Sequence, residues 1–555
     1  MSIQRKEKVE NVEKKRLAFG TGGLRGVLGP DSDQMNYGTV GQATQGLANY
    51  IIKKNGQDRG VAIAFDSRRM SPEFAECAAL CLNANGIKTY CFESLRPTPE
   101  LSFAVRNLGC IAGIVITASH NPPEYNGYKV YWEDGAQITV PKDKEIIAEV
   151  NRIEDEASVK TMEKAAAMEK DLYHIIGEEI DEAYLAELKK LVKNPEAIKK
   201  MAKELRIVYT PLHGTGNILV RRVLKDLGFE DVHVVPEQEL PDGNFPTVKS
   251  PNPEDDAAFA LALELAKKID ADIVLATDPD ADRLGVYAKD TKTGQYMKFT
   301  GNMSGLLIAE YELSQLKDQG RLPKNGALIK TIVSSNMGTD IARAYDIQLI
   351  EVLTGFKYIG EQIKFFEQMK AKGNVDAPEY LFGYEESYGC LIGTYARDKD
   401  AVVAVMALCE AAAYYKTQNR TLWDQMLWKY ETYGYYKEDL VSITLKGDSG
   451  KEKIENIMVQ MRNNEPDTLG GLKVLAVRDY KADTRTDKVT GEVTKTGLPS
   501  SNVLYYELED NSWCCVRPSG TEPKIKFYIG VKGNTLDVAE SRLGMIKKEL
   551  LQITD

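Results

Sequence analysis

IVLATDPDADR, residues 273–283, is an apolar run that breaks into alternating aspartates and closes on an arginine. A short continuous apolar run reads as a strand buried on both faces, so 277–283 reads as the polar loop beyond its carboxyl end. The same grammar recurs along the chain. GVAIAFD at 60–66 is followed by a Ser-Pro helix start and helical spacing over 71–85, and IAGIVI at 111–116 runs into the polar stretch 117–121. RIVYT at 206–210 runs into 211–216 and then a helix, and ALIKTIV at 327–333 runs into 334–336. Apolar strands alternating with amphipathic helices predict an α/β class with largely parallel sheets. In such layers ligands gather beyond the carboxyl ends of strands, and the unusual polar motifs of this chain stand there.

Working outward, 555 residues exceed what one hydrophobic core holds, which implies roughly three to four domains. Boundaries are expected near residues 200, 312 and 432, giving 1–200, 201–312, 313–432 and 433–555. The first follows a charged tract over 142–205 that reads as a long helical segment rich in Glu, Lys and Ala. The last precedes a change to short strands around 440–445, 473–477 and 503–508, with 479–496 as an exposed hairpin or loop. The three α/β segments could be repeats of one architecture, although the sequence shows no clear repeat.

The net charge of −11 argues against nucleic acid as a partner, since that binding draws on basic residues meeting phosphates; a small anion in a local basic cleft remains compatible with it. No apolar run approaches the roughly 20 residues that span a bilayer, so no membrane is expected, and 1–16 lacks an apolar signal core, so a cytoplasmic location is expected. Eight scattered cysteines with no C-x-x-C pair read as buried thiols, and four histidines argue against a histidine-rich zinc site.

Five motifs carry chemistry. Asp278, Asp280 and Asp282 at alternate positions can turn inward together and offer hard oxygen ligands to Mg²⁺ or Ca²⁺. An EF-hand would want Gly at the sixth position and Glu at the twelfth, where this chain has Arg283 and Lys289. A solvated acidic turn is the bland alternative, but three clustered carboxylates repel unless a cation sits among them. Second, Thr117-Ala118-Ser119-His120-Asn121-Pro122 sets a serine beside a histidine, a possible nucleophile or an Asn-Pro turn with an incidental serine; it does not match the G-x-S-x-G elbow. Lys129, in the Asn126-Gly127-Tyr128-Lys129 stretch, is within reach of the same strand end. Third, Arg517-Pro518-Ser519-Gly520-Thr521 can form an anion nest or an ordinary β-turn. Fourth, Phe19 to Gly26 is glycine-rich and carries Arg25, without the spacing of a nucleotide loop. Fifth, Gly383 to Gly389 holds Glu385 and Ser387 between glycines, with Lys399 just beyond. Thr354-Gly355-Phe356-Lys357 and His213-Gly214-Thr215-Gly216 are further loop candidates of the same kind.

In this order and together, the motifs resemble the α-D-phosphohexomutase superfamily, phosphoglucomutases and phosphomannomutases, from about Phe19 to Ile529. The resemblance implies three related α/β domains with mixed, mostly parallel sheets and a smaller C-terminal α+β domain around a central cleft. It implies a phosphoserine at Ser119, and a Mg²⁺ ion held by Asp278, Asp280, Asp282 and that phosphoserine. It places Arg25, His120, Lys129 and Arg283 around the reacting phosphate. It assigns Thr354, Gly355, Lys357, Glu385, Ser387 and Lys399 to sugar recognition, and Arg517, Ser519, Gly520 and Thr521 to the phosphate that does not react. The expected reaction interconverts glucose 1-phosphate and glucose 6-phosphate through glucose 1,6-bisphosphate, by a monomer or dimer. The spellings TASHNP, GYK and GYEES resemble the branch of bacterial phosphoglucomutases and animal phosphoglucomutase-2 and phosphopentomutase enzymes. Pentose and mannose phosphates therefore stand as alternative substrates, and a magnesium-dependent phosphatase or a silent sugar-phosphate-binding protein as rival functions.

Overall fold

A computed structural model describes residues 17–20, 23–445, 449–519 and 524–554. Gly520, Thr521, two residues of the glycine-rich stretch and the first 16 residues lie outside the described residues.

Three sheets share one plan. In each, a first strand lies between a second and a third, both parallel to it, and a fourth returns antiparallel beside the third. In the first sheet these are Val61–Phe65, Thr89–Phe92, Ala112–Ile116 and Tyr125–Trp132. In the second they are Ile207–Thr210, Val232–Val234, Ile273–Thr277 and Leu284–Lys289. In the third they are Gly326–Thr331, Gln348–Val352, Glu379–Glu385 and Gly389–Ile392. The repeat that the residues do not spell out is thus present as topology. Extra strands extend the edges: Gly23–Val27 and Tyr173–Ile176 in the first sheet and Tyr296–Phe299 in the second. Among the central strands, Ala112–Ile116 and Ile273–Thr277 are buried along their whole length, which is why they read as unbroken apolar runs.

This plan positions the site. Because the fourth strand doubles back, the connection from the third is a tight loop at the carboxyl end of the sheet. Ser119, the three aspartates, and the pair Glu386 and Ser387 all stand in that one topological position.

The three units share a core: one apolar cluster runs from Ala62 of the first sheet through Leu275 and Phe382 to Tyr436. Helix Ala401–Lys416 passes through it, apolar on every side and buried almost throughout. Its N-cap, Asp400, accepts hydrogen bonds from the amides of Val402 and Val403 and from the hydroxyl of Tyr184 at 2.6 Å.

The charged tract over 142–205 is not one helical segment. It breaks into helices Lys142–Asn151, Lys164–Glu169, Glu178–Lys189 and Pro195–Met201, and Tyr173–Ile176 within it joins the first sheet parallel to Thr89–Phe92. The four residues Tyr-His-Ile-Ile carry the aromatic and β-branched composition of a strand, hidden by the charge on either side. The boundary expected near 312 falls inside helix Gly301–Asp318, whose apolar side chains belong to the shared core.

From Tyr435 the chain builds a smaller α+β unit. Its antiparallel sheet runs Tyr435–Thr444, Lys524–Gly533, Trp513–Pro518, Leu504–Leu508, Leu472–Asp479, Thr484–Asp487, Val493–Thr494. The two short strands near its end form the expected hairpin. Helices Ser449–Asn463 and Leu536–Thr554 supply Ile454, Met458, Ile546 and Leu550 to its own core. No helix among the described residues is long and apolar enough to cross a membrane, and the eight cysteines are free thiols.

Candidate active site

Ser119 leaves the strand Ala112–Ile116 with φ at 50°, a left-handed conformation that costs a non-glycine residue free energy. Its amide is held by the Thr117 hydroxyl at 2.7 Å. The side chain is buried, and its Oγ donates to Asp278 Oδ2 at 2.6 Å while lying 3.2 Å from His120 Nδ1. Burial, reinforced by the charges of Arg283 and Arg25, pushes the His120 imidazole well below its usual pKa, so the ring is neutral at pH 7. The edge strand Gly23–Val27 pairs Arg25 with Gly127. That register carries the Arg25 guanidinium to the open side of the serine loop, where Nη1 lies 3.4 Å from Asn121 Oδ1.

Asp278, Asp280 and Asp282 are buried, and each brings a carboxylate oxygen within 4.8 Å of the others. Asp278 Oδ1 accepts the amides of Asp282 and Arg283, both at 3.1 Å, which folds the loop around it. Burial and then the neighbouring Asp280 and Asp282 push Asp278 well above the usual carboxylate range. Burial acts the same way on Asp280, but the Lys129 ammonium overrides it and holds that carboxyl low. Two lysines neutralise the cluster: Lys129 Nζ lies 2.7 Å from Asp280 and 3.4 Å from Asp282, and Lys399 Nζ lies 3.1 Å from Asp282. Even so, Asp280 Oδ1 and Asp282 Oδ1 are buried with no hydrogen-bond partner. Orphaned anionic oxygens in a buried hard-oxygen cluster are what a divalent cation satisfies, so the donor set fits a metal.

Glu385 and Ser387 meet this cluster. Ser387 Oγ donates to Glu385 Oε1 at 2.8 Å, and Lys399 reaches both Glu385, at 4.0 Å, and Asp282. Arg283 bridges Glu254 and approaches Asp282 at 3.8 Å. Ser119, His120, Lys129, Arg283, Glu385, Ser387 and Lys399 therefore converge on the aspartates, with Arg25 on the rim. Thr354, Gly355 and Lys357 start a helix, Phe356–Ala371, and Gly355 takes the φ of 117° there that glycine alone adopts readily. Lys357 packs over the Tyr358 ring at 5.3 Å, and the acidic groups acting on it are Asp143 and Glu361. Arg517 and Ser519 lie at the end of the strand Trp513–Pro518, and the Arg517 charge bears on Glu386, in the loop that carries Glu385 and Ser387. Burial, then Glu385, pushes Glu386 up to about 7 against that charge.

Several residues of the site are not among those picked out from the sequence. Arg68 and Asp66 lie behind the serine loop; for Asp66 the carboxylate that ends GVAIAFD was a signal, and for Arg68 there was none. Thr98 caps the metal loop, its hydroxyl 2.8 Å from Asp280 Oδ2 and its amide 2.9 Å from the Asp280 carbonyl. Ser250 donates to the His120 carbonyl at 2.6 Å. The loop over 213–216, which the sequence did offer as a candidate, supports the aspartate loop from beneath: a Cβ on Gly214 would sit 2.5 Å from Pro279 Cα, and the Thr215 amide donates to the Pro279 carbonyl at 2.9 Å.

Family models match three consecutive stretches of the chain: phosphoglucomutase/phosphomannomutase alpha/beta/alpha domain I at 16–157, domain II at 182–293 and domain III at 300–430. A phosphoglucomutase of Staphylococcus epidermidis is 37% identical over 530 residues, covering 95% of this chain and 93% of its own. Among solved structures, the open form of the Paramecium phosphoprotein parafusin, a phosphoglucomutase, superposes with a TM-score of 0.70 at 19% identity, covering 97% of this chain and 95% of that one. An Aspergillus fumigatus N-acetylphosphoglucosamine mutase, solved with GlcNAc-6P and magnesium, gives 0.51 at 13% identity, covering 98% and 97%. Three matched domains, a full-length relative and the convergent serine and aspartate loops lead to one conclusion: the chain belongs to the phosphoglucomutase/phosphomannomutase family, the α-D-phosphohexomutases, enzymes of the isomerase class.

Proposed function

We propose that this enzyme interconverts glucose 1-phosphate and glucose 6-phosphate through a phosphoserine at Ser119 and a glucose 1,6-bisphosphate intermediate. One observation carries the reading: the Ser119 Oγ lies 2.6 Å from Asp278 of the aspartate cluster and 3.2 Å from His120 Nδ1. The relatives' name favours glucose over pentose or mannose. Magnesium is the metal proposed, on the all-oxygen donor set of Asp278, Asp280, Asp282 and the Ser119 phosphate and on the ion bound in the Aspergillus mutase. Bound there, it would neutralise charge on the phosphoryl group in transfer.

The protein's own residues do the rest. The free hydroxyl of the sugar phosphate attacks the phosphorus on Ser119; the bond from phosphorus to Ser119 Oγ breaks as the bond to the sugar oxygen forms. The hydroxyl proton ends on Ser119 Oγ, with His120 as relay, since its neutral ring is already in hydrogen-bond reach. Arg25, Lys129 and Arg283 hold the phosphoryl oxygens during transfer. Thr354, Gly355, Lys357, Glu385, Ser387 and Lys399 hold the sugar hydroxyls, and Arg517 and Ser519, with Gly520 and Thr521, the second phosphate. The bisphosphate turns around in the cleft and returns its other phosphate to Ser119. The chain is proposed to divide near residues 200 and 432, the division expected near 312 falling inside helix Gly301–Asp318, and to work in the cytoplasm, where its free thiols stay reduced.

The test is conversion of glucose 1-phosphate by wild type and Ser119→Ala, with and without Mg²⁺. Magnesium-dependent turnover lost in Ser119→Ala is expected, with almost no inorganic phosphate released. Full turnover in Ser119→Ala, or steady phosphate release by the wild type, would sink the proposal; a preference for mannose or ribose 1-phosphate would change the sugar alone.

A further inference from the structure

Behind the serine loop, one guanidinium gathers its backbone. Arg68 Nη2 donates to the carbonyls of Ser119, at 2.5 Å, and Asn121; Nη1 donates to those of Pro122 at 2.8 Å and Tyr125 at 3.1 Å. The side chain is fully buried. Its Nε lies 3.4 Å from Asp66 Oδ2, while Asp66 Oδ1 accepts the Arg68 amide at 2.9 Å and the Ser71 hydroxyl at 2.7 Å. The Phe245 ring from the second unit closes the far side at 5.0 Å, and the Gly243 backbone is pressed so closely on 67–69 that a Cβ would meet the Arg69 amide at 2.5 Å. A buried charge with this many partners is expensive to assemble, and a surface turn would satisfy its carbonyls with water instead.

Four carbonyls drawn backward onto one planar fork leave Ser119 in its left-handed conformation with Oγ forward, toward Asp278. The fork geometry matters, since an ammonium cannot meet four divergent acceptors in one plane. We infer that Arg68 is a positioning residue for phosphoryl transfer: it fixes the Ser119 loop, and hence the line of attack on the phosphoserine, without touching the sugar. This rests on the reading of Ser119 as the phosphorylated residue.

The experiment compares wild type, Arg68→Lys and Arg68→Met, each primed with glucose 1,6-bisphosphate. It measures kcat and KM for glucose 1-phosphate, inorganic phosphate released per turnover, and the thermal midpoint. A displaced nucleophile is expected to lower kcat by about 100-fold in Arg68→Lys and about 1,000-fold in Arg68→Met, with KM within about 3-fold of wild type. Phosphate release per turnover rises in both, because a loosened phosphoserine is attacked by water. A role in the fold alone would not raise that ratio. Wild-type kcat in Arg68→Lys, or a lower kcat with an unchanged release ratio, would overturn the inference, and so would variants that unfold and lose sugar-phosphate binding altogether. Failure of the underlying reading would show in the wild type, as the absence of phosphate on Ser119; failure of the inference shows in the variants.

Discussion

Asp278 meets two opposed demands. It accepts two loop amides on Oδ1 and the Ser119 hydroxyl on Oδ2. An asparagine would keep the amides on its one oxygen and present Nδ2 as a donor to the Ser119 hydroxyl oxygen, without the negative charge that stands buried beside Asp280 and Asp282. Without a cation that charge is a cost, visible as a carboxyl pushed well above its usual range by burial and by those neighbours. Asp278→Asn is therefore expected to leave the metal-free thermal midpoint unchanged or higher, while lowering mutase activity by at least about 100-fold and abolishing the rise in midpoint that Mg²⁺ gives the wild type. Calorimetry with chelator and with Mg²⁺ checks it; a lower metal-free midpoint together with a retained Mg²⁺ response would show the cluster to be structural. At this scale most of the chemistry was legible in the residues. The alternation of aspartates after an apolar run announced the cluster, whereas the placement of Ser119 against it was expected only through the family resemblance. Arg68 was not legible, because its partners are main-chain carbonyls, which every residue possesses and no side-chain pattern marks.

At the scale of elements, the three return loops are alike in topology and unlike in sequence, which is why the repeat escaped a reading of residues. A parallel strand needs only to be apolar, so Ala112–Ile116, Ile273–Thr277 and Glu379–Glu385 share a role without sharing residues. Helix Ala401–Lys416 shows the opposite case. It is apolar almost throughout, yet it buries Glu410, whose Oε1 accepts the Lys193 amide at 2.8 Å and the Tyr311 hydroxyl at 2.9 Å. Burial, then the nearby Glu312, pushes Glu410 up to about 7. Because the native carboxyl binds its proton more tightly than the unfolded one, its contribution to stability falls as pH rises from the ordinary carboxylate range through about 7. Glu410→Gln keeps the acceptor and removes the titration. Between pH 5 and pH 8 the variant is expected to gain stability relative to wild type by something on the order of 3 kcal/mol. Urea midpoints at the two pH values measure it, and parallel curves would refute the assignment.

At the scale of the whole molecule, the metal loop is the point where three units are tied. The Thr98 amide of the first donates to the Asp280 carbonyl at 2.9 Å, and the Ala401 amide of the third to the Ala281 carbonyl at 3.1 Å. The Leu284 amide, where the loop ends, donates at 2.9 Å to the carbonyl of Tyr388, next to Ser387. The α/β class was legible from the alternation of apolar runs and helical spacing, but these ties were not, since they join main-chain atoms far apart in sequence. Their consequence is that the aspartate loop, to which Ser119 Oγ donates, is joined by main-chain hydrogen bonds to the first unit, to the third unit and to the loop that carries Glu385 and Ser387. The Arg517 charge of the C-terminal sheet bears on Glu386. On the proposed function, a phosphoryl group on Ser119 would face Glu385 and Ser387. Following that group is the decisive measurement: enzyme carrying labelled phosphate on Ser119 is mixed with unlabelled glucose 1-phosphate and quenched within one turnover. Label is expected to leave the Ser119 peptide and appear in glucose bisphosphate and then in glucose 6-phosphate. Label that stays on Ser119 while glucose 6-phosphate accumulates, or that passes to inorganic phosphate, would contradict it.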